Sequence, residues 1–371
     1  MHMVRIETMP KLSVIIPVHN GQKRLLRTVK GVLAQNYKDL ELILVENGSK
    51  DKSWDICKKI CESDRRVKVY QSEQGTTLAR KYGVMNSTGE YITFSDQDDY
   101  YINSQAFSEM MELVDQEEAD ITQFGYYINS FGRIRKHCVQ NAYTVDRAQL
   151  LDATCSGIFG AFKGDLGTSV WNKVYKGSSL RTAVTGMTAV LFRAEDMYLN
   201  TFAFLNENVK KVALFPDAFY VWRTGVGTYN ALEGASALFD EYRIVKPTIF
   251  QLSESAGVGY EPIMRTHRET LNFLNGLISQ SILSGASEGE TVKLLRKYAT
   301  YDFVSEAARF FSKPREDGTE WDQHIKECAD IWNTSAYYNR VKKDIGNIKT
   351  ARFRQVAKRH LKRVLRWIDK L

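Results

Sequence analysis

Apolar residues recur in short runs over the first hundred positions, at Leu12 to Val18, Leu40 to Val45, Val67 to Tyr70 and Tyr91 to Phe94. Between them the apolar positions return with a helical period, over Arg24 to Gln35, Ser53 to Glu62 and Thr77 to Asn86, with Leu25, Leu26, Val29, Val32 and Leu33 inward in the first. Strands separated in this way predict right-handed βαβ crossovers and a largely parallel sheet, an α/β fold of Rossmann-like kind. In an open sheet of that type ligands sit outside the carboxyl ends of the strands. Three polar clusters fall there: His19-Asn20-Gly21, Glu46 to Asp51, and Ser95-Asp96-Gln97-Asp98-Asp99.

The pattern then becomes mixed. It predicts a strand over Ile121 to Ile128, a turn at Phe131-Gly132, a strand over Trp171 to Tyr175, and a helix from near Arg193 with Glu195 and Asp196 in its first turn. Val212 to Phe215 and Phe219 to Arg223 read as two further short strands. From about Ala235 the chain reads as helices, one announced by the capping-box pattern Ser287 to Glu290. The expected organisation is a sheet domain over 1–230, a helical region over 231–345 and a basic amphipathic helix over 346–371.

Composition narrows the chemistry. The chain has 371 residues, enough for about two domains, and a hydrophobic share of 43%. The sequence contains no apolar run of about 18 residues and no recognisable leader, which predicts a cytoplasmic location. The five cysteines include no CxxC pair, so neither a disulfide framework nor a zinc site is indicated. The net charge of +7 belongs to the tail, because Gly346 to Leu371 alone carries nine Lys/Arg against Asp369. A body without basic surplus argues against a nucleic-acid partner.

Three carboxylates within four residues repel one another, so a fold that sets Asp96, Asp98 and Asp99 at the end of a strand usually has a cation to receive there. The plain alternative is an acidic turn capping the helix that starts near Ser104. If the strand continues, Asp96 and Asp98 point together and Gln97 points away. Neither a GxGxxG nor a GxxxxGK[ST] sequence follows any of the strands, which counts against dinucleotide and P-loop binding.

Several motifs in series resemble family 2 of the inverting glycosyltransferases: Leu12 to Asn20, Gln35-Asn36-Tyr37, Glu41 to Asp51, Gly75, Ala79-Arg80, Gly89 to Ile92, Ser95 to Asp99, Trp171 to Tyr175, Glu195-Asp196 and Tyr220 to Arg223. The resemblance covers about residues 11 to 230. It implies a GT-A fold, a UDP-sugar donor, Mn²⁺ or Mg²⁺, and transfer with inversion to a hydroxyl of a bacterial surface glycan. By the motif, Asp98 is the metal ligand and Asp196 the general base, with Pro17, Val18, Asn20, Glu46, Asn47, Arg80, Asp96, Asp99, Trp171, Glu195 and Arg223 around the nucleotide sugar. Adjacent helical residues diverge by about 100°, so Glu195 and Asp196 are expected to face different atoms. The family usually has two acidic residues where Glu46 and Asn47 stand; Asn47 both accepts and donates, which loosens the choice of base. Arg223 opens a Gly-rich segment to Thr228 that reads as a lid or a surface hairpin. The rival readings are a sugar-phosphate nucleotidyltransferase and a non-catalytic nucleotide-binding module.

In the tail, Phe353, Ala357, Leu361, Val364 and Ile368 recur at spacings of three and four among basic residues, with Trp367 near the end. That composition suits an interfacial helix on anionic lipid. It predicts a protein peripheral on the inner face of the plasma membrane, with a lipid-linked acceptor. A helix packed on the body or a solvated basic tail is the plainer reading.

Overall fold

The computed structural model describes residues 11–130, 132–151, 166–224, 231–315, 319–321 and 323–347. Ten strands among them form one sheet: β1 Leu12–Val18, β2 Leu40–Glu46, β3 Val67–Gln71, β4 Tyr91–Phe94, β5 Tyr100–Tyr101, β6 Ile121–Ser130, β7 Arg133–His137, β8 Tyr143–Asp146, β9 Lys173–Lys176 and β10 Lys211–Thr224. Their order is β3-β2-β1-β4-β9-β6-β10-β5, with β7 on β6 and β8 on β10. The four strands expected from the apolar runs pair in parallel, whereas β9 runs antiparallel between β4 and β6.

Every residue of β1 and β2 is buried, which is why these strands read as unbroken apolar runs rather than alternating ones. The crossovers are α1 (Leu25–Leu33), α2 (Ser53–Ser63) and α3 (Thr76–Met85), followed by α4 (Ala106–Glu117), α5 (Gly177–Thr185) and α6 (Glu195–Leu205). Leu25, Val29 and Val32 of α1 join one hydrophobic core with β1, β2, α4 and the aromatic residues of β10.

The two short strands expected between Val212 and Arg223 are one strand, β10. Pro216 has no N–H to give to a ladder, so the pairing with β6 shifts register between Phe215 and Ala218 while the chain keeps its direction. The strand expected from Trp171 begins at Lys173.

Further helices follow, among them α7 Ala231–Ser255, α8 Tyr260–Leu283, α9 Glu288–Ala299, α10 Asp302–Ser312 and α11 Gln323–Ala329. The capping box at the start of α9 forms as read, with Ser287 and Glu290 bonding each other's backbone N–H. By its contacts the chain falls into two compact units, Met1–Tyr229 with Asp240–Ile263 and Asn230–Phe239 with Met264–Leu371. In the second, Phe239 packs within 5.3 Å of the rings of Phe273, Tyr298 and Phe303. No helix among the described residues is long and apolar enough to cross a membrane. The amphipathic reading of the tail falls on residues outside those described.

The strand order turns at β1, which has β2 and β3 on one side and β4 on the other. Such a switch leaves a crevice at the carboxyl ends of the strands. Pro17 belongs to the side of β1 facing β4, which ends at Phe94 opposite Ile15, so its missing N–H costs no ladder bond. All three polar clusters lie at this crevice and are tied together. Gln97 exchanges two bonds with the backbone of His19, at 3.0 and 2.7 Å. Asn20, at φ +50, receives Lys50 N–H on its Oδ1 and gives its own N–H to Ser49 Oγ, both at 2.9 Å.

Candidate active site

The acidic stretch is a turn rather than a continued strand, with Asp99 N–H donating to the Asp96 carbonyl at 3.3 Å. Strand alternation therefore does not apply, and Gln97 points to His19 instead of away from the site. The three carboxylates meet three environments. Asp99 is 2% exposed and accepts from Tyr220 Oη at 3.0 Å and from Arg223 N–H at 2.8 Å. Tyr220 Oη in turn accepts Asp96 N–H at 2.9 Å, so one phenol holds both ends of the turn. Asp96 Oδ1 takes Arg80 Nη2 at 3.0 Å. Asp98 is half-buried, and no hydrogen bond or ion pair engages its carboxylate among the described residues.

Arg80 comes from α3, whose N-cap Gly75 sits at φ +145, a conformation that favours glycine. Its side chain is 2% exposed. Besides Asp96 it binds Glu195 Oε1 at 3.0 Å and, still closer, Asp196 Oδ1. Glu195 and Asp196 were expected to face different atoms, yet both reach Nη1 of Arg80. They start the helix, and two side chains of different length converge there on one buried cation. The carboxylates outweigh the cost of burial and raise the Arg80 pKa above its ordinary value. Burial raises Asp96 and Glu195 above the usual carboxylate range, with Arg80 opposing. Glu195 Oε2 and Arg80 Nε are buried without a hydrogen-bond partner among the described residues.

The second oxygen of Asp196 accepts Val170 N–H at 3.3 Å. That amide belongs to the turn before β9, which is shaped by a buried lysine. Lys173 Nζ donates to the carbonyls of Gly167 and Ser169 at 2.9 and 2.5 Å and to Asn172 Oδ1 at 3.2 Å. Burial pulls its pKa down to about 7, with Asp196 acting the other way. Asp196 is thus held on both oxygens, by Arg80 and by Val170, and a carboxylate with about four lone-pair sites keeps acceptor capacity to spare.

The helix of Asp196 lacks a cap of its own: Ala194 stands at the N-cap. Glu241 from α7 supplies one, accepting the N–H groups of Phe192, Arg193 and Ala194 at 3.1, 3.0 and 2.8 Å. The sequence offers no sign of this, since Glu241 is one acid among several on a helix far along the chain. Lys173 and Tyr220 lay within motifs singled out from the sequence, but their tasks appear only once the turn and β10 are in place. A charged group near a helix start also complements the macrodipole. With Asp196 as the base that the motif implies, Glu241→Ala is expected to lower kcat about 10- to 100-fold through a displaced Asp196, with the KM of a nucleotide-sugar donor within about twofold. Steady-state kinetics on a correctly folded variant checks this, and unchanged kcat would show that α6 holds its place without the cap.

At the other end of the crevice, Glu46 accepts Ser49 N–H on one oxygen and Gln71 Nε2 at 3.1 Å on the other. Burial opposes its ionisation, but these bonds hold it below the ordinary carboxylate value. Glu46 therefore shapes the loop. Asn47 is 3% exposed and makes no side-chain hydrogen bond among the described residues, while its carbonyl meets His19 Nδ1 at 3.3 Å. Val18 binds Asn47 N–H through its carbonyl at 2.9 Å. Trp171 stacks on Tyr220 at 4.7 Å and on Trp222 at 6.3 Å and is 8% exposed. Arg223 lies over the Tyr100 ring at 5.8 Å; the expected lid beyond it, Gly225 to Thr228, falls outside the described residues.

No three His, Cys, Asp or Glu side chains among the described residues converge to hold a metal by themselves. The donor set fits a different arrangement. Asp96 and Asp99 are committed to protein partners, whereas Asp98 has none among the described residues. One carboxylate suits a hard cation whose remaining ligands are substrate phosphates and water.

Comparison with known proteins agrees with this architecture. Residues 13–164 match the model of the family described as Glycosyl transferase family 2. The glycosyltransferase GlyA of Streptococcus pneumoniae is 29% identical over 229 residues, 59% of this chain and 31% of GlyA. The GalNAc(5)-diNAcBac-PP-undecaprenol beta-1,3-glucosyltransferase of Campylobacter jejuni is 30% identical over 167 residues, 43% of this chain and 53% of that enzyme. The chain thus spans about a third of the first relative and about half of the second. Among solved structures, S. aureus TarS 1–349 in complex with UDP-GlcNAc superposes with a TM-score of 0.62 at 18% identity, over 91% of this chain and 92% of that one. That likeness concerns the fold, a mostly parallel GT-A sheet followed by helices. Motif order and the family match over residues 13–164 agree: this part of the chain is similar to glycosyl transferase family 2, on a sheet of GT-A topology.

Proposed function

We propose that the protein transfers a hexose or N-acetylhexosamine from a UDP-sugar to a hydroxyl of a bacterial cell-surface glycan, with inversion at the anomeric carbon. The observation that carries this reading is the convergence on Arg80. It brings Asp96 of the acidic turn together with Asp196, 116 positions away from Arg80 in the chain, while the Asp98 carboxylate has no partner among the described residues.

In this reading Asp196 is the general base. The acceptor oxygen attacks the anomeric carbon as the bond from that carbon to the diphosphate oxygen breaks. The acceptor proton passes to Asp196, and UDP leaves with the bonding pair. Arg80 and the Val170 amide fix the direction of the Asp196 carboxylate. Asp98 would hold Mn²⁺ or Mg²⁺ together with the diphosphate, and the cation when bound stabilises the charge that grows on the leaving group. The open amide of Asn47 suits the edge of a pyrimidine. UDP-GlcNAc in the TarS complex supports a UDP-sugar donor, and the PP-undecaprenol glycan in the name of the Campylobacter relative supports a lipid-linked acceptor.

UDP release from a panel of UDP-sugars, with and without Mn²⁺ or Mg²⁺, tests the reading. Wild type is expected to release UDP from at least one sugar only with the cation, and Asp98→Ala to lose that stimulation. Metal-independent release, or equal release by Asp98→Ala, would sink the metal role.

A further inference from the structure

The carboxyl ends of β6 and β10 and the strand β7 present a grid of side chains of which the donor chemistry uses only Tyr220. Register places Tyr126, Ile128 and Ser130 of β6 beside Tyr220, Trp222 and Thr224 of β10, and beside His137, Arg135 and Arg133 of β7. Alternate residues of a strand share a face, so these nine positions form three rows on one face. The inner row, Tyr220, Tyr126 and His137, is aromatic. Trp171 lies on it, stacked at 4.7 Å on Tyr220 and edge-on at 4.8 Å to Tyr126. The middle row is Trp222, Ile128 and Arg135, and the outer row Thr224, Ser130 and Arg133, with the two hydroxyls 2.7 Å apart. At the usual strand spacings the grid is about 10 Å across and about 13 Å long.

Its inner edge is the active site itself, since Tyr220 Oη bonds Asp99 and the Asp96 amide. Its outer part faces solvent: Trp222 is 38% exposed, and all five residues of β7 are exposed. Arg133 and Arg135 have no ion-pair partner among the described residues. A flat aromatic ring beside hydroxyls and a guanidinium is the chemistry that binds a saccharide ring and an anionic group on it.

We propose that this face is the acceptor subsite, with Trp222 packing on a sugar ring of the acceptor and Arg135, aided by Arg133, pairing with a phosphate or carboxylate that the acceptor carries. The inference rests on the glycosyltransferase reading of the neighbouring site and adds where, and on what class of glycan, the acceptor lies.

Affinity electrophoresis of the full chain through gels holding dextran, phosphorylated dextran or polygalacturonate tests it directly, with UDP binding measured on the same samples. At least one anionic polymer is expected to retard wild type more than dextran does, and which one separates phosphate from carboxylate. Trp222→Ala is expected to weaken that retardation about tenfold and Arg135→Ala to weaken it several-fold, the latter loss shrinking as salt is raised. Retardation by none of the polymers, equal retardation of the variants, or a parallel loss of UDP affinity in Arg135→Ala would overturn the proposal. UDP release without acceptor reports the donor reading alone, so a failure of either inference is told apart from a failure of the other.

Discussion

Asp196→Asn is expected to lower kcat by about 10³-fold while leaving the affinity for UDP within about twofold. The substitution keeps the size of the side chain and its ability to accept the Val170 amide, but an amide oxygen does not take up the acceptor proton at neutral pH. Removal of a positioned base typically costs between about 10² and 10⁴ in rate, here close to 4 kcal/mol of barrier. The loss should fall on kcat because, in the proposed mechanism, Asp196 meets the reacting hydroxyl rather than the nucleotide. Rapid-mix measurement of a single turnover, with UDP affinity read by calorimetry, separates the two. Turnover within tenfold of wild type would move the base elsewhere, with Glu195, whose Oε2 is buried without a partner, as the next group to test.

The placement of the candidate residues at the ends of the strands was more legible in the sequence than their wiring. β1, β2 and β4 announced themselves because both faces are buried, and the carboxylates stood out because they follow those strands in the order of a known motif series. β7 gave no signal: Arg133-Ile134-Arg135-Lys136-His137 is exposed throughout, so its pairing with β6 rather than any apolar pattern makes it a strand. Pro216 made one strand look like two, since a missing donor reads as a break although β10 continues past it. Gln97 was assigned outward by strand alternation, which fails once the chain turns after Phe94. The partners of Arg80 lie 16, 115 and 116 positions away, a separation that no local pattern encodes. The cap that Glu241 provides is of the same kind, a bond between a helix start and a distant helix.

Replacement of Arg80 discriminates between the two tasks open to it. As a ligand of the donor phosphates alone, Arg80→Met would raise the donor KM and leave stability untouched. The structure instead surrounds its guanidinium with Asp96, Glu195 and Asp196 at 2% side-chain exposure, with Phe94 beneath it at 5.9 Å. Methionine fills much of the same volume but strands three carboxylates in each other's field. Breaking a buried ion pair by removing one partner costs about 3–5 kcal/mol, which for a domain of this size lowers Tm by roughly 10 °C at about 2–4 °C per kcal/mol. Arg80→Lys keeps the charge without the planar fork that serves several acceptors at once, so it should recover part of the stability and little of the rate. The double variant Arg80→Met with Glu195→Gln supplies the decisive comparison. Removing one of the repelling carboxylates should restore stability relative to Arg80→Met, giving a coupling of about 1–3 kcal/mol in a double-mutant cycle. Additive losses, or a single variant with unchanged Tm and only a weakened donor affinity, would show that Arg80 serves the phosphates and that Asp196 is oriented by the Val170 amide and the Glu241 cap without it.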